Sequence, residues 1–165
     1  DQVRRIRQLT VPAVIALLMA DLCIANLQYA RIYALNVRNI NSTHVKMGRW
    51  LADNTPVEAV IATHDIGAVG YFSNRRILDT TGLVTPAVLT YLQPKRPADE
   101  GVARFLRVAK PDYLVLIPSW YPALIAKIGA VQPVFEIDVA NNTVVAGDRF
   151  VAYRTPWSRR VPSPP

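Results

Sequence analysis

Residues 9–30 read LTVPAVIALLMADLCIANLQYA, and positions 11–20 carry no charge. The run reaches the roughly 20 apolar residues that cross a bilayer, although Asp21, Asn26 and Gln28 stand in its second half. Length favours a membrane helix; a signal-peptide core, an anchor and a buried helix of a soluble fold share the pattern. Asp21 is expected to face other helices or the interface, because a lone acid against lipid is costly. From 29 to 54, Tyr29, Ile32, Tyr33, Val37, Ile40, Val45, Met47, Trp50 and Leu51 recur near helical spacing. Asn36, Asn39 and Asn41 predict a break near 39–42, with Ser42 or Thr43 capping a second helix that stops before Thr55-Pro56.

From residue 56 the period changes. Val57, Ala59, Val60, Ile61 and Ala62 form a short apolar run that halts at Thr63-His64-Asp65, as a buried parallel strand would. Residues 66–72 are a small-residue helical turn, Ile77-Leu78-Asp79 a second strand, and Thr80-Thr81-Gly82 a turn. Thr85 with Pro86 marks a helix start. Residues 93–98 read as a loop, and 99–109 as an amphipathic helix with Val102, Phe105, Leu106 and Ala109 on one side. Residues 113–117 are the clearest buried strand, and 122–128 a short helix closed by Gly129. Residues 131–139 and 144–154 read as extended segments around the turn Ala140-Asn141-Asn142-Thr143, a hairpin.

The order β-α-β-α-α-β-α-β-β predicts an α/β fold: a three-layer, Rossmann-like, mainly parallel sheet with an antiparallel C-terminal hairpin, preceded by a long N-terminal helix read as transmembrane. Three regions follow. Residues 1–36 are a membrane-spanning or anchoring helix with a basic flank, 37–155 an α/β domain, and 156–165, ending PSPP, a tail expected to be disordered. Arg4, Arg5 and Arg7 ahead of the apolar run place its start in the cytoplasm and the domain outside.

Composition sharpens this picture. A length of 165 residues suits one domain with appendages. A hydrophobic share of 51% with mean hydropathy +0.15 is high for a soluble domain, so the bilayer is the first partner expected. The net charge of +7 comes from basic residues that are scattered or terminal, which argues against a nucleic-acid groove. Cys23 alone excludes an internal disulfide framework or a cysteine zinc site, and Ala20-Asp21-Leu22 before it does not suit lipid attachment. A chain that opens on Asp1 reads as a piece of a longer polypeptide.

Candidate chemistry gathers at the strand ends, where open α/β sheets carry their polar groups. His64-Asp65 could supply a base and its orienting acid, but neighbours on a strand face opposite ways, so only a turn would let them cooperate. Arg76 could hold a phosphate or pair with Asp79. Substrate contact is expected from Asp65, Tyr71, Arg76 and Asp79, converging on one end of the sheet. Gly67 and Gly70 resemble a phosphate loop only superficially, because no Lys-Ser/Thr pair follows and the third glycine of a dinucleotide fingerprint is missing. His44 and His64 have no carboxylate at a helical ligand spacing, so no metal is expected, nor any cofactor. No nucleophile elbow is present either.

Residues 47–86, MGRWLADNTPVEAVIATHDIGAVGYFSNRRILDTTGLVTP, and again Lys110-Pro111-Asp112-Tyr113-Leu114-Val115, resemble the C-terminal extracytoplasmic region of bacterial polytopic GT-C type membrane glycosyltransferases. The matching residues are Gly48, Trp50, Leu51, Thr55, Pro56, Ala59, Ile61, Ala62, Asp65, Ile66, Gly67, Ala68, Tyr71, Ser73, Arg76, Ile77, Asp79, Gly82 and Leu83. The resemblance implies sugar transfer from a polyprenyl-phosphate donor in a bacterial cell membrane, with lipid-linked sugar or acceptor and the upstream membrane domain as partners. The catalytic acid of such enzymes lies in an early extracytoplasmic loop with no counterpart here, so no catalytic residue is carried over. The expected function is an accessory extracytoplasmic domain; the alternative is a non-enzymatic, membrane-anchored binding or interaction module.

Overall fold

The computed structural model describes residues 2–92, 97–129 and 131–158, with the side chains from residue 10 onward. The chain divides into two compact units, Asp1–Arg38 and Asn39–Pro165. The expected tail from 159, and most of the expected loop at 93–98, lie outside the described residues.

The first unit belongs to helix α1, Gln2–Ile40. Its described apolar side chains are open, with Leu17 71%, Leu18 64% and Leu27 63% exposed. The helical stretch Thr10–Asn54 holds an 18-residue window of mean hydropathy 1.9, none of it buried, which by length and composition is able to cross a membrane.

The expected break at 39–42 is a change of helix type. A π-helical turn, Asn41–Val45, follows α1 directly and leads into α2, Lys46–Asn54. The physical reason lies in the two hydroxyls expected to cap a new helix. Ser42 Oγ (3.1 Å) and Thr43 Oγ1 (2.6 Å) both donate backward to the Asn39 carbonyl, which leaves the helix running. At the far end Thr55 Oγ1 donates to Leu51 O, and the Arg75 guanidinium donates to Ala52 O and Thr55 O, each at 2.7 Å. Arg75 thereby satisfies carbonyls that a helix C-terminus leaves without partners.

Five strands form one mixed sheet in the order β2-β1-β3-β5-β4. Strands β1 (Val60–Thr63), β2 (Arg76–Asp79) and β3 (Tyr113–Leu116) are parallel, and β5 (Arg149–Arg154) runs antiparallel to both β3 and β4 (Gln132–Asp138). Pro133 is tolerated because β4 is an edge strand. Strand β1 starts later than expected, leaving Val57 69% exposed. Strand β5 also starts late, because Asn142 binds the backbone of Val144, Val145 and Gly147 and holds that segment as a loop. Between strands come α3 (Gly67–Ser73), a 3-10 turn Pro86–Thr90, α4 (Ala98–Ala109), a second 3-10 turn Pro118–Trp120, and α5 (Leu124–Ile128). Thr85, expected to cap a helix, instead accepts the Asp79 N–H at 3.0 Å.

Alternation along the strands builds two cores. Ala62, Leu114, Leu116, Val151 and Tyr153 pack with Val102, Phe105 and Leu106 of α4 and Leu124 of α5. Ile61, Tyr113, Val115, Phe150 and Ala152 pack with Met47 and Leu51 of α2 and Val69 of α3. The α2–α3 contact depends on Gly48, where an added Cβ would sit 2.9 Å from Phe72 Cβ and 3.0 Å from Ala68 O. Gly48→Ala is therefore expected to lower stability by about 1–3 kcal/mol, despite alanine's better helix propensity. Urea unfolding of the detergent-solubilised chain measures this, with Gly67→Ala, where nothing lies within 4 Å, as the silent control.

Candidate functional site

Chain order reverses at β1, with β2 on one side and β3 on the other, so the carboxyl end of β1 is the switch point where open α/β sheets hold ligands. His64 and Asp65 follow β1 directly, and Thr63 is paired with Asp79 at the end of β2. Asp65 and Asp79 are thus brought to one end of the sheet. Arg76 is not: it begins β2 opposite Val60, at the amino end. Tyr71 is 81% exposed on α3, edge-on to Phe72. The expected four-residue convergence reduces to the two acids.

The acids have different surroundings. Asp79 is covered but shallow; it accepts the Thr81 N–H at 2.7 Å, the Thr81 hydroxyl at 2.5 Å and the Val84 N–H at 2.9 Å. Burial pushes its pKa up more than any single hydrogen bond pulls it down, yet the hydrogen bonds together win and hold it below the ordinary carboxylate value. Its oxygens are engaged in shaping the 80–84 turn. Asp65 keeps a half-open side chain and lies 2.5 Å through Oδ2 from His44 Nε2. That distance is within ion-pairing reach whenever the ring carries a second proton. The imidazole is the largest cause of the depressed Asp65 pKa, against the opposing effect of burial.

His44, buried within the π turn, also meets Thr43 Oγ1 through Nδ1 at 2.8 Å and packs on Phe150 with ring centroids 4.9 Å apart. Hydroxyl, imidazole and carboxylate therefore stand in the contact order of a nucleophilic triad. Their wiring is different. The single Thr43 hydroxyl hydrogen goes to Asn39 O, so Nδ1 must donate to Thr43, and the fully buried hydroxyl presents no nucleophile. Among the described residues no group of three His, Cys, Asp or Glu could hold a metal ion.

His64 is 8% exposed, and among the described residues neither ring nitrogen has a hydrogen-bond partner. Its ring lies 4.7 Å from Trp120, 5.8 Å from Tyr121 and 6.3 Å from Phe150. Burial is the main cause of its lowered pKa, and the His44 field adds to this, while Asp65 and Asp79 oppose it. Burial also raises the Tyr121 phenol, which bonds the Thr80 side chain. Sequence reasoning missed His44, Thr43 and Thr80. The adjacent hydroxyls Ser42-Thr43 inside a helical pattern were the available signal.

Residues 30–158 match DUF8728, a family described as a domain of unknown function. The chain belongs to the DUF8728 family. No curated protein and no solved structure matches it. The DUF8728 match takes in the whole five-stranded sheet and the π turn that carries His44.

The His64 environment in this DUF8728 domain sets a pH dependence. Its folded pKa lies below the ordinary 6.5, so the unfolded chain binds more protons once pH falls under that value. Its contribution is complete above 6.5 and declines with acidification, so the urea midpoint should fall between about pH 7.5 and about pH 5.5. His64→Gln should flatten that part of the profile, leaving the more acidic loss that comes from Asp65.

Proposed function

We propose that this DUF8728 chain is a membrane-tethered, extracytoplasmic accessory domain of a GT-C type glycosyltransferase-like protein in a bacterial cell membrane. The carrying observation is the exposed apolar helix that runs on, through a π turn, into the helix packed on the α/β sheet. The arginine flank supports placing the domain outside the cytoplasm, and the sequence resemblance supports sugar transfer from a polyprenyl-phosphate donor. The Thr43–His44–Asp65 wiring supports an accessory rather than catalytic role, with the reacting groups in the membrane part of the same polypeptide. On this reading the sheet, with a helix-packed core on each face, is Rossmann-like and works without a bound cofactor.

Three measurements test it. The chain should resist alkaline carbonate extraction from membranes and yield to detergent. A cysteine placed at the exposed Glu58 in a Cys23→Ser background should react with a membrane-impermeant maleimide on intact spheroplasts; protection until lysis would overturn the extracytoplasmic placement. Deleting 39–155 from the whole polypeptide should lower sugar transfer from a polyprenyl-phosphate donor by about tenfold or more. Unchanged transfer would leave a membrane-anchored binding module as the reading.

A further inference from the structure

The second candidate surface lies away from the strand ends, along α2. Lys46, Arg49, Trp50 and Asp53 recur at i, i+3, i+4 and i+7, so they share one helix face. With Asn54 beside them and Phe135 of β4 opposite, they line an open groove of about 500 Å³, a volume in the range of small-ligand sites. Trp50 and Phe135 stack with parallel rings, centroids 4.7 Å apart, and give the groove a rigid apolar wall. The charged side chains do not neutralise one another. Arg49 and Asp53 stand at i and i+4, yet neither they nor Lys46 closes an ion pair among the described residues; the Arg49 guanidinium lies 5.3 Å from the Phe72 ring centroid instead.

The groove therefore has two cations at one end, a carboxylate and an amide at the other, and an aromatic wall between them. Seven residues of helix separate Lys46 from Asp53, about 10 Å along the axis, which is the length of a hexose with one anionic substituent. Charge-assisted bonds from Lys46 and Arg49 suit a phosphate or carboxylate. The Asp53 carboxylate and the Asn54 side-chain oxygen, whose amide nitrogen donates to Trp50 O, suit ring hydroxyls, and the part of the Trp50 ring that Phe135 leaves uncovered suits the C–H groups of a sugar. We infer that the α2 groove binds an anionic saccharide, with the anion on Lys46 and Arg49 and the hydroxyls on Asp53 and Asn54. This site is independent of the glycosyltransferase reading and stands whether or not sugar transfer is found.

Isothermal titration of the full chain in detergent with D-glucose 1-phosphate, D-glucuronate, D-glucose and inorganic phosphate tests it. Both anionic sugars should bind at least about tenfold more tightly than glucose or phosphate. The double variant Lys46→Gln/Arg49→Gln should weaken them by about tenfold or more, with the urea midpoint lowered no further than in the single variant Arg49→Gln, which removes the exposed contact with Phe72. Asp53→Asn should weaken the sugars while leaving phosphate unaltered. Equal binding of phosphate and glucose 1-phosphate would reduce the groove to a bare anion surface and overturn the inference. Absence of binding, or binding indifferent to the double variant, would overturn it as well.

Discussion

The imidazole of His44 joins the helical and sheet parts of the α/β domain. It is buried at the π turn with both nitrogens facing oxygens, Thr43 Oγ1 on one side and Asp65 Oδ2 on the other, and its ring rests on Phe150. A buried polar ring is costly without such partners. Asp65 belongs to the loop after β1, so its close contact with His44 also ties down the carboxyl end of the central parallel strand. The π turn follows from the same requirement, because the Thr43 hydroxyl is engaged at once by the Asn39 carbonyl and by the ring. With Asp65 committed to His44 and Asp79 committed to its own turn, His64 is left as the buried titratable group at the switch point with its nitrogens unpartnered.

Asn39 extends this junction in a second direction. Its side-chain oxygen accepts the Thr143 N–H at 2.8 Å and the Thr143 hydroxyl at 2.7 Å, and its amide donates to Ala140 O. One asparagine thus serves the turn between β4 and β5 through its side chain and the π turn through its carbonyl. Asn39, which reads locally as a helix breaker, is used here for long-range hydrogen bonds, which offset its poor helix propensity.

That difference marks what the sequence made legible. Strand β3 and helix α4 follow from runs and periodicities contained within each segment and stand within a residue of where the pattern puts them, whereas β1 and the hairpin strand β5 exist as the pattern predicts but begin three and five residues later. Asp65 and Asp79 come together because parallel neighbours present their carboxyl ends side by side. Arg76 stands apart for an equally simple reason: three residues of extended chain carry Asp79 about 10 Å away from it. The unbroken helix through residue 40, the Thr85 hydroxyl bonded to Asp79, and the aromatic enclosure of His64 depend on partners distant in sequence. A hydroxyl that can cap a helix or bond backward has no local reason to prefer one; the buried His44 decides it.

The residues that carry the glycosyltransferase resemblance have mostly mechanical roles in the fold. Gly48 permits the α2–α3 approach, Leu51, Ala59, Ile61 and Ala62 are buried, and Thr55 joins the Leu51 carbonyl to the Arg75 guanidinium. Asp79 holds the 80–84 turn, and Gly82 occupies a φ of +94° that a side chain would strain. A pattern made of such positions transmits a packing solution more strongly than an activity. Other side chains are left outside those packing roles. Among the described residues Lys46, Arg49 and Asp53 line the open face of α2 without closing an ion pair, and His64 rests against Trp120 at the strand ends with both ring nitrogens unpartnered.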